Sequence, residues 1–194
     1  MLIKEKYESH KREVNERFDE LKKNEEELNK IFIEIYGLNE ELKPDVADKD
    51  ITVAKIFDNK DDIPEDMKGN IYVKTRQDVI KDLLSYIVGC AFGRYSPYME
   101  GLQFAGGFFE WETFYIDILR ATGTEIGDVE KVYNLVKPVE DNCITITDND
   151  YGTNNMIDYV VNFVKSIYGK ENLDENLRFI ANALDEKSTD TPRN

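Results

Sequence analysis

The chain has 194 residues, with 40 acidic against 25 basic side chains, one histidine, two cysteines and a net charge of −15. A field of that sign repels DNA and anionic membrane surfaces unless a local basic patch overcomes it, which argues against an autonomous nucleic-acid binder. Hydrophobic residues at 41% and aromatics at 11% are enough to build a core at this length and too many for a wholly disordered chain.

Residues from about Lys4 to Tyr36 contain no Gly or Pro and are dense in Glu, Lys, Leu and Asn, the composition of one long helix that Gly37 closes. Tyr7, Val14, Leu21, Leu28 and Ile35 recur every seven positions, but the +3 companions His10, Arg17, Asn24 and Ile31 supply only half of a heptad seam. Phe18 and Phe32 widen the stripe. The helix is therefore expected to pack on other elements, most firmly where Leu28, Ile31, Phe32 and Ile35 crowd together. A coiled-coil dimer is the alternative.

Leu38 to Leu42 adds a helical turn before Pro44. The stretch that follows, through about Asn70, is acidic and interrupted and reads as an exposed connection with little core, with a short strand at Ile51 and Val53. Thr75 and Asp78 form a helix-start signature, and Val79, Leu83, Tyr86, Ile87 and Cys90 then fall at three- and four-residue steps toward Gly93. The aromatic, glycine-rich segment from Ser96 becomes helical at about Trp111 to Arg120. Around Cys143 the pattern alternates like a short strand. Asn154 or Asn155 opens a helix that stops at Gly169, and a last helix from Leu173 to Leu184 presents Leu177, Ile180, Ala181 and Leu184 on one face. DEKSTDTPRN reads as a frayed polar tail or a cut end.

The fold class expected is mainly α, a long N-terminal helix packed with several shorter helices and minor strands. Its parts are residues 1–43 (the helix and its cap), 44–74 (an acidic, largely irregular connection), 75–187 (a helical core with an aromatic insertion at 108–137) and 188–194 (the tail), together one compact domain.

Several chemistries lack their residues. His10 is the sole histidine and stands on a charged helix, so neither a Ser-His-Asp triad nor a histidine-rich metal site is proposed. Cys90 and Cys143 are 53 positions apart without a CxxC and read as reduced thiols. No GxG triplet occurs, which removes the dinucleotide fingerprint and the Walker loop. Asp148, Asp150 and Gly152 resemble the start of a calcium loop, but the glycine comes one place early and the twelfth position is Tyr159. No spacing singles out a carboxylate pair. No signal peptide or membrane span is evident, so a soluble, cytoplasmic protein is expected.

Arg94, Tyr95 and Trp111 are the candidate interaction residues, because an arginine beside aromatics can stack on bases or anchor an interface. The competing reading has the rings filling a core and Arg94 capping a helix end. Gly106 and Gly107 suit a tight loop better than a phosphate cradle.

Six collinear blocks carry a family resemblance: EEELNKIFIEIYGLNEEL (Glu25 to Leu42), DKDITV (Asp48 to Val53), SYIVGCAFGRY (Ser85 to Tyr95), GLQFAGG (Gly101 to Gly107), ITDNDY (Ile146 to Tyr151) and YGKENLDENLRFIANAL (Tyr168 to Leu184). In these the chain resembles the large adenine-specific DNA methyltransferases of the PglX or BrxX type from BREX phage-defence systems, relatives of fused type II restriction-modification enzymes. Phe57 to Gln77 looks like an insertion, and Phe108 to Lys137 replaces a shorter connection.

The resemblance implies a region C-terminal to the catalytic core, toward the target-recognition side. The family's Asn-Pro-Pro-aromatic motif and glycine-rich S-adenosylmethionine loop are absent here, so no catalytic, cofactor or metal residue is carried over. S-adenosylmethionine is implied for the parent enzyme alone. The implied function is a non-catalytic helical spacer that orients catalytic and recognition parts. Its implied partners are the parent's other domains, DNA through the parent, and other defence proteins, with no membrane. The ending at TPRN suggests an excised domain or truncated product. The alternative is a stand-alone acidic module that binds a basic protein surface, with a DNA mimic as one form of it, since a carboxylate-rich face imitates a phosphate array.

Overall fold

The structure, a computed structural model, describes residues 1–106, 109–125, 127–139, 143–146 and 155–184. It is mainly helical, and a two-stranded parallel sheet is the one sheet among the described residues. The chain forms two compact units, residues 4–80 and residues 1–3 with 81–194. The boundaries expected at 43/44 and 74/75 both fall inside the first of these.

In the unit of residues 4–80, helix α1 (Ile3–Tyr36) supplies one wall. β1 (Lys55–Phe57) and β2 (Val73–Thr75) pair in parallel, Lys55 opposite Val73 and Phe57 opposite Thr75. Parallel strands need a crossover of a dozen or more residues. Residues 58–72 provide it, folded into 3-10 turns at Lys60–Asp62 and Glu65–Met67. Phe18, Ile51 and Met67 form the core, with Leu21, Val46, Val53, Phe57, Ile63 and Val73 around them.

The acidic stretch after Pro44 is thus not a bare connection. Ile51, Ile56 and Met67 are buried in it, and the strand expected at Ile51 and Val53 forms instead at Lys55–Phe57. What the hydrophobic pattern does not show is the polar half of the α1 seam. Asn29 Nδ2 donates to the Pro44 carbonyl at 3.2 Å, and Glu26 accepts from Val46 N–H at 3.2 Å. Lys22 pairs with Asp48 at 2.7 Å. Asn15 both donates to the Ile56 carbonyl at 3.0 Å and accepts from its N–H at 2.9 Å. Lys11 and the Tyr7 hydroxyl close on Asp58. Positions descend along α1 as they ascend along the returning segment, so segment 44–58 runs antiparallel to the helix and is fastened to it side chain by side chain.

The same geometry corrects the packing expected for α1. Leu28 is 53% and Ile35 69% exposed, with Ile31 and Phe32 close to half exposed. The firm contacts lie earlier, at Tyr7 and Phe18, both nearly inaccessible.

In the other unit, α2 (Arg76–Ala91, of which 81–91 belong here), α3 (Trp111–Thr122), α4 (Val129–Asn134), α5 (Met156–Tyr168) and α6 (Leu173–Leu184) follow in order. The α2 start is the expected box: Asp78 Oδ2 accepts from Thr75 N–H at 2.8 Å and from its hydroxyl at 2.7 Å. The Asn155 side chain caps α5 by accepting from Ile157 N–H at 2.9 Å. α3, α5 and α6 begin where the sequence places them, α3 runs one residue pair further than expected, and α4 was not foreseen. Ile87, Cys90, Val136 and Phe163 make the core, lined by Tyr86, Tyr95, Tyr98, Tyr159 and Tyr168 among others. The tail and the Asp148 to Gly152 stretch lie outside the described residues. Of the strand expected around Cys143, the described part shows one bridge, Thr145 with Asn155.

The buried face of α6 is turned from the expected one. Asn176, Ile180 and Ala183 are its inaccessible positions, and Asn176 is only 1% exposed. Its Oδ1 accepts from Ile3 N–H at 2.7 Å, one of the donors a helix start leaves unpaired, while its Nδ2 donates to the Met1 carbonyl at 3.2 Å.

Two outcomes follow from these contacts. Asn176→Ala strands a buried N–H and is expected to cost about 1–3 kcal/mol, read from the urea midpoint. Asp48, held between Lys22 at 2.7 Å and Lys55 at 2.8 Å, has its carboxyl lowered below the ordinary range, first by the Lys22 hydrogen bond and then by that of Lys55. A lowered carboxyl stabilises the fold above its unfolded value near 4 and loses that contribution as pH falls through the folded one. Asp48→Asn should flatten this acid limb in a pH series of unfolding midpoints, by no more than about 1 kcal/mol for pairs this exposed.

Candidate interaction site at the end of α2

α2 ends in a double backbone turn. Gly93 N–H donates to the Cys90 carbonyl at 3.1 Å and Arg94 N–H to the Gly89 carbonyl at 2.8 Å, the pattern that uses a left-handed residue just beyond the helix. Gly93 is that residue, with φ +71°. A Cβ there would also lie 2.8 Å from the Phe109 ring, so its conformation and its neighbour both demand glycine.

Of the three candidate residues, this turn keeps Arg94 and Tyr95 at one cleft and leaves Trp111 out of it. The Arg94 backbone caps the helix while its side chain is exposed. Tyr95 folds back over Gly89, where a Cβ would lie 2.5 Å from the ring, and stacks on Tyr86 with centroids 5.5 Å apart. The Tyr86 hydroxyl donates to the Ser96 carbonyl at 3.0 Å. Trp111 opens α3 and belongs to an aromatic group: Phe109 stands edge-on to Phe104 and to Trp111, each at 5.0 Å, and 5.2 Å from Phe114. Arg94 and Tyr95 line one cleft of about 660 Å³ with Asp82 and Ser85, and Trp111 is not among its lining residues.

Below this turn the chemistry is quiet. Burial pushes the Cys90 thiol up to about 11, against the lowering effect of a hydrogen bond with Tyr86, so it is an unreactive thiol at neutral pH. Cys143 is exposed, and neither cysteine is in a disulfide. Among the described residues no group of three His, Cys, Asp or Glu is placed to hold a metal ion, and no helix is long and apolar enough to cross a membrane.

Two tyrosines missed in the sequence fix the segment after α4. The Tyr98 hydroxyl accepts from Val136 N–H at 3.0 Å, and the Tyr159 hydroxyl donates to the Lys137 carbonyl at 3.0 Å. Burial raises the Tyr159 phenol well above its ordinary value, which keeps it a donor. Val139 N–H then reaches the Ala91 carbonyl at 2.9 Å. No sequence pattern marks these bonds, because each joins a side chain to a backbone group 22 or more positions away.

No protein-family model matches the chain. The adenine-specific methyltransferase PglX of Lacticaseibacillus casei (strain Zhang) is 38% identical over 175 residues, 89% of this chain and 12% of that protein. The adenine-specific methyltransferase BrxX of Escherichia coli O9:H4 (strain HS) is 30% identical over 171 residues, 86% of this chain and 13% of that protein. The chain thus spans about an eighth of the length of the curated relatives it matches. In sequence, 86–89% of this chain is similar to a stretch that makes up 12–13% of these two adenine-specific methyltransferases.

Proposed function

We propose that this chain is a non-catalytic helical segment of an adenine-specific DNA methyltransferase of the PglX or BrxX type, lying beyond the catalytic core and orienting the parts that transfer the methyl group and recognise the DNA target. The observation that carries the reading is the match itself: most of this chain aligns with only 12–13% of each relative, and neither an Asn-Pro-Pro-aromatic motif nor a GxG loop occurs in it. Phage defence in the cytoplasm is the setting this reading implies.

The glycines do not fit S-adenosylmethionine. At Gly89 and Gly93, where a Cβ is excluded, Tyr95 and Phe109 of the chain itself already fill the space. No methyl-transfer step is therefore assigned to these residues, and the cofactor belongs to the remainder of such an enzyme.

The exposed end of α1 suits a docking role toward that remainder. Leu28, Ile31, Phe32, Ile35 and Tyr36 follow the three- and four-residue steps of one helix face, and all are 46–70% exposed. A helix rising about 1.5 Å per residue holds such a stripe at a fixed distance from the Phe18 contacts.

Calorimetry with S-adenosylmethionine should detect no binding by the chain. Deleting the matching stretch from the L. casei PglX should abolish adenine methylation while leaving S-adenosylmethionine binding intact. Methylation by the chain alone, or an active deletion protein, defeats the reading. Arg94→Ala should leave the urea midpoint of the chain within about 0.5 kcal/mol yet weaken its capture by the deleted relative. Trp111→Ala should lower stability by about 1–3 kcal/mol through lost ring packing; a wild-type midpoint assigns that ring to a surface role instead.

A further inference from the structure

Two segments, one running from within α4 past its end and one filling most of α5, are free of acidic residues and carry lysines. Residues 131–139 and 159–170 contain four lysines and not one Asp or Glu. With 40 acids in 194 residues, a combined run of that length would carry about four. The fold brings both runs to the walls of one cleft of about 620 Å³, lined by Asn134, Lys137, Asn162, Lys165, Ser166 and Lys170 together with Tyr159 and apolar side chains, and by no carboxylate among the described residues.

Among the described residues Lys11, Lys22, Lys55, Lys68 and Lys131 each sit within 4.0 Å of a carboxylate. Among the same residues no carboxylate pairs with Lys137, Lys165 or Lys170, which, unlike the equally unpaired Lys23 and Lys30 of α1, converge on one cleft. Lys137 lies 5.8 Å from the Tyr115 ring centroid, and its backbone is fixed by Tyr159 from below. Lys165 in the last turn of α5 complements the negative end of that helix. The helix dipole accounts for neither Lys137 nor the absence of acids from both runs.

The geometry points to a phosphate-binding cleft in which Lys137, Lys165 and Lys170 supply the charge and Asn134, Asn162 and Ser166 line the walls with polar groups. Three unpaired ammonium groups on a clamped floor provide the local basic patch without which a chain of charge −15 repels a polyanion. Lysine binds phosphate as a point charge rather than through a planar fork, so the site takes the phosphate group and reads no base. Only the identity of the carrier, a duplex backbone, rests on the methyltransferase reading; the phosphate chemistry stands on the cleft alone.

The test is an amide NMR titration of the full 194-residue chain with inorganic phosphate in one arm and a 12-base-pair duplex in the other. Shifts should concentrate at 134–137 and 162–170. They should be lost in Lys137→Gln/Lys165→Gln/Lys170→Gln and kept in Lys23→Gln/Lys30→Gln, two exposed α1 positions. Duplex affinity should fall at least tenfold in the cleft variant, and the slope of log K against log salt should drop by about 0.9 for each lysine that meets a phosphate. Duplex binding lost in that variant makes the carrier a nucleic-acid backbone. Phosphate binding lost in it without duplex binding upholds the site, gives it a small phosphate ligand and overturns only the duplex as carrier, leaving the methyltransferase reading to its own test. Binding unchanged in the cleft variant, or none in either arm while its amide spectrum stays dispersed, overturns the proposal.

Discussion

The polar fastening of segment 44–58 along α1 is what the unit of residues 4–80 depends on. Its apolar core is small, with three inaccessible side chains at the centre and six around them. A parallel pair of three-residue strands adds little by itself. Asn15 satisfies both backbone groups of Ile56, so β1 has a partner on the side away from β2 without a third strand. Each such bond contributes about 0.5–1.5 kcal/mol net, but a buried backbone group left without one costs more than that. The bonds therefore fix register more than they add stability. They hold Ile51 and Val53 over Phe18 and Leu21, and Lys55 places its ammonium 4.1 Å from the Phe18 ring centroid.

The other unit uses the same device. Asn176 ties α6 to the first residues of the chain, and Tyr98 and Tyr159 tie the segment after α4 to the core. In each case one side chain neutralises backbone groups that would otherwise be buried without partners. Where these ties end, surface is left for other work: an apolar stripe at the end of α1, an arginine at the mouth of the α2 cleft, and a lysine-lined cleft.

Helix by helix, the sequence was a good guide to this fold. The Thr75 and Asp78 box, Asn155 as a cap, and the stops at Gly37, Gly93 and Gly169 are local chemistry, decided within a few residues of chain. The six blocks resembling methyltransferases point to the same relatives as the alignments do. Of the candidate contacts, Arg94 is exposed as a contact residue must be, while Tyr95 is drawn over Gly89 and Trp111 into an aromatic group. Residue type alone cannot choose between a core and an interface for those rings, since an aromatic side chain serves both equally well.

By itself, then, the sequence determined the long helices α1, α2, α5 and α6 with their caps and stops, the acidic charge and the absence of methyl-transfer motifs, because each is a property of composition or of neighbours in the chain; the short α4 it did not show. Tertiary structure decided which face of each helix is buried. Leu28, Ile31, Phe32 and Ile35 are as apolar as any stripe in the molecule, yet they stay 46–69% exposed, while Tyr7 and Phe18 are buried and the polar residues Lys11, Asn15 and Lys22 bond to the returning segment. Periodicity counts apolar side chains and is blind to a polar one whose partner lies 26 or 41 positions away. The same blindness hid Asn176, and it hid the lysine cleft, whose two walls are joined only when the chain is folded.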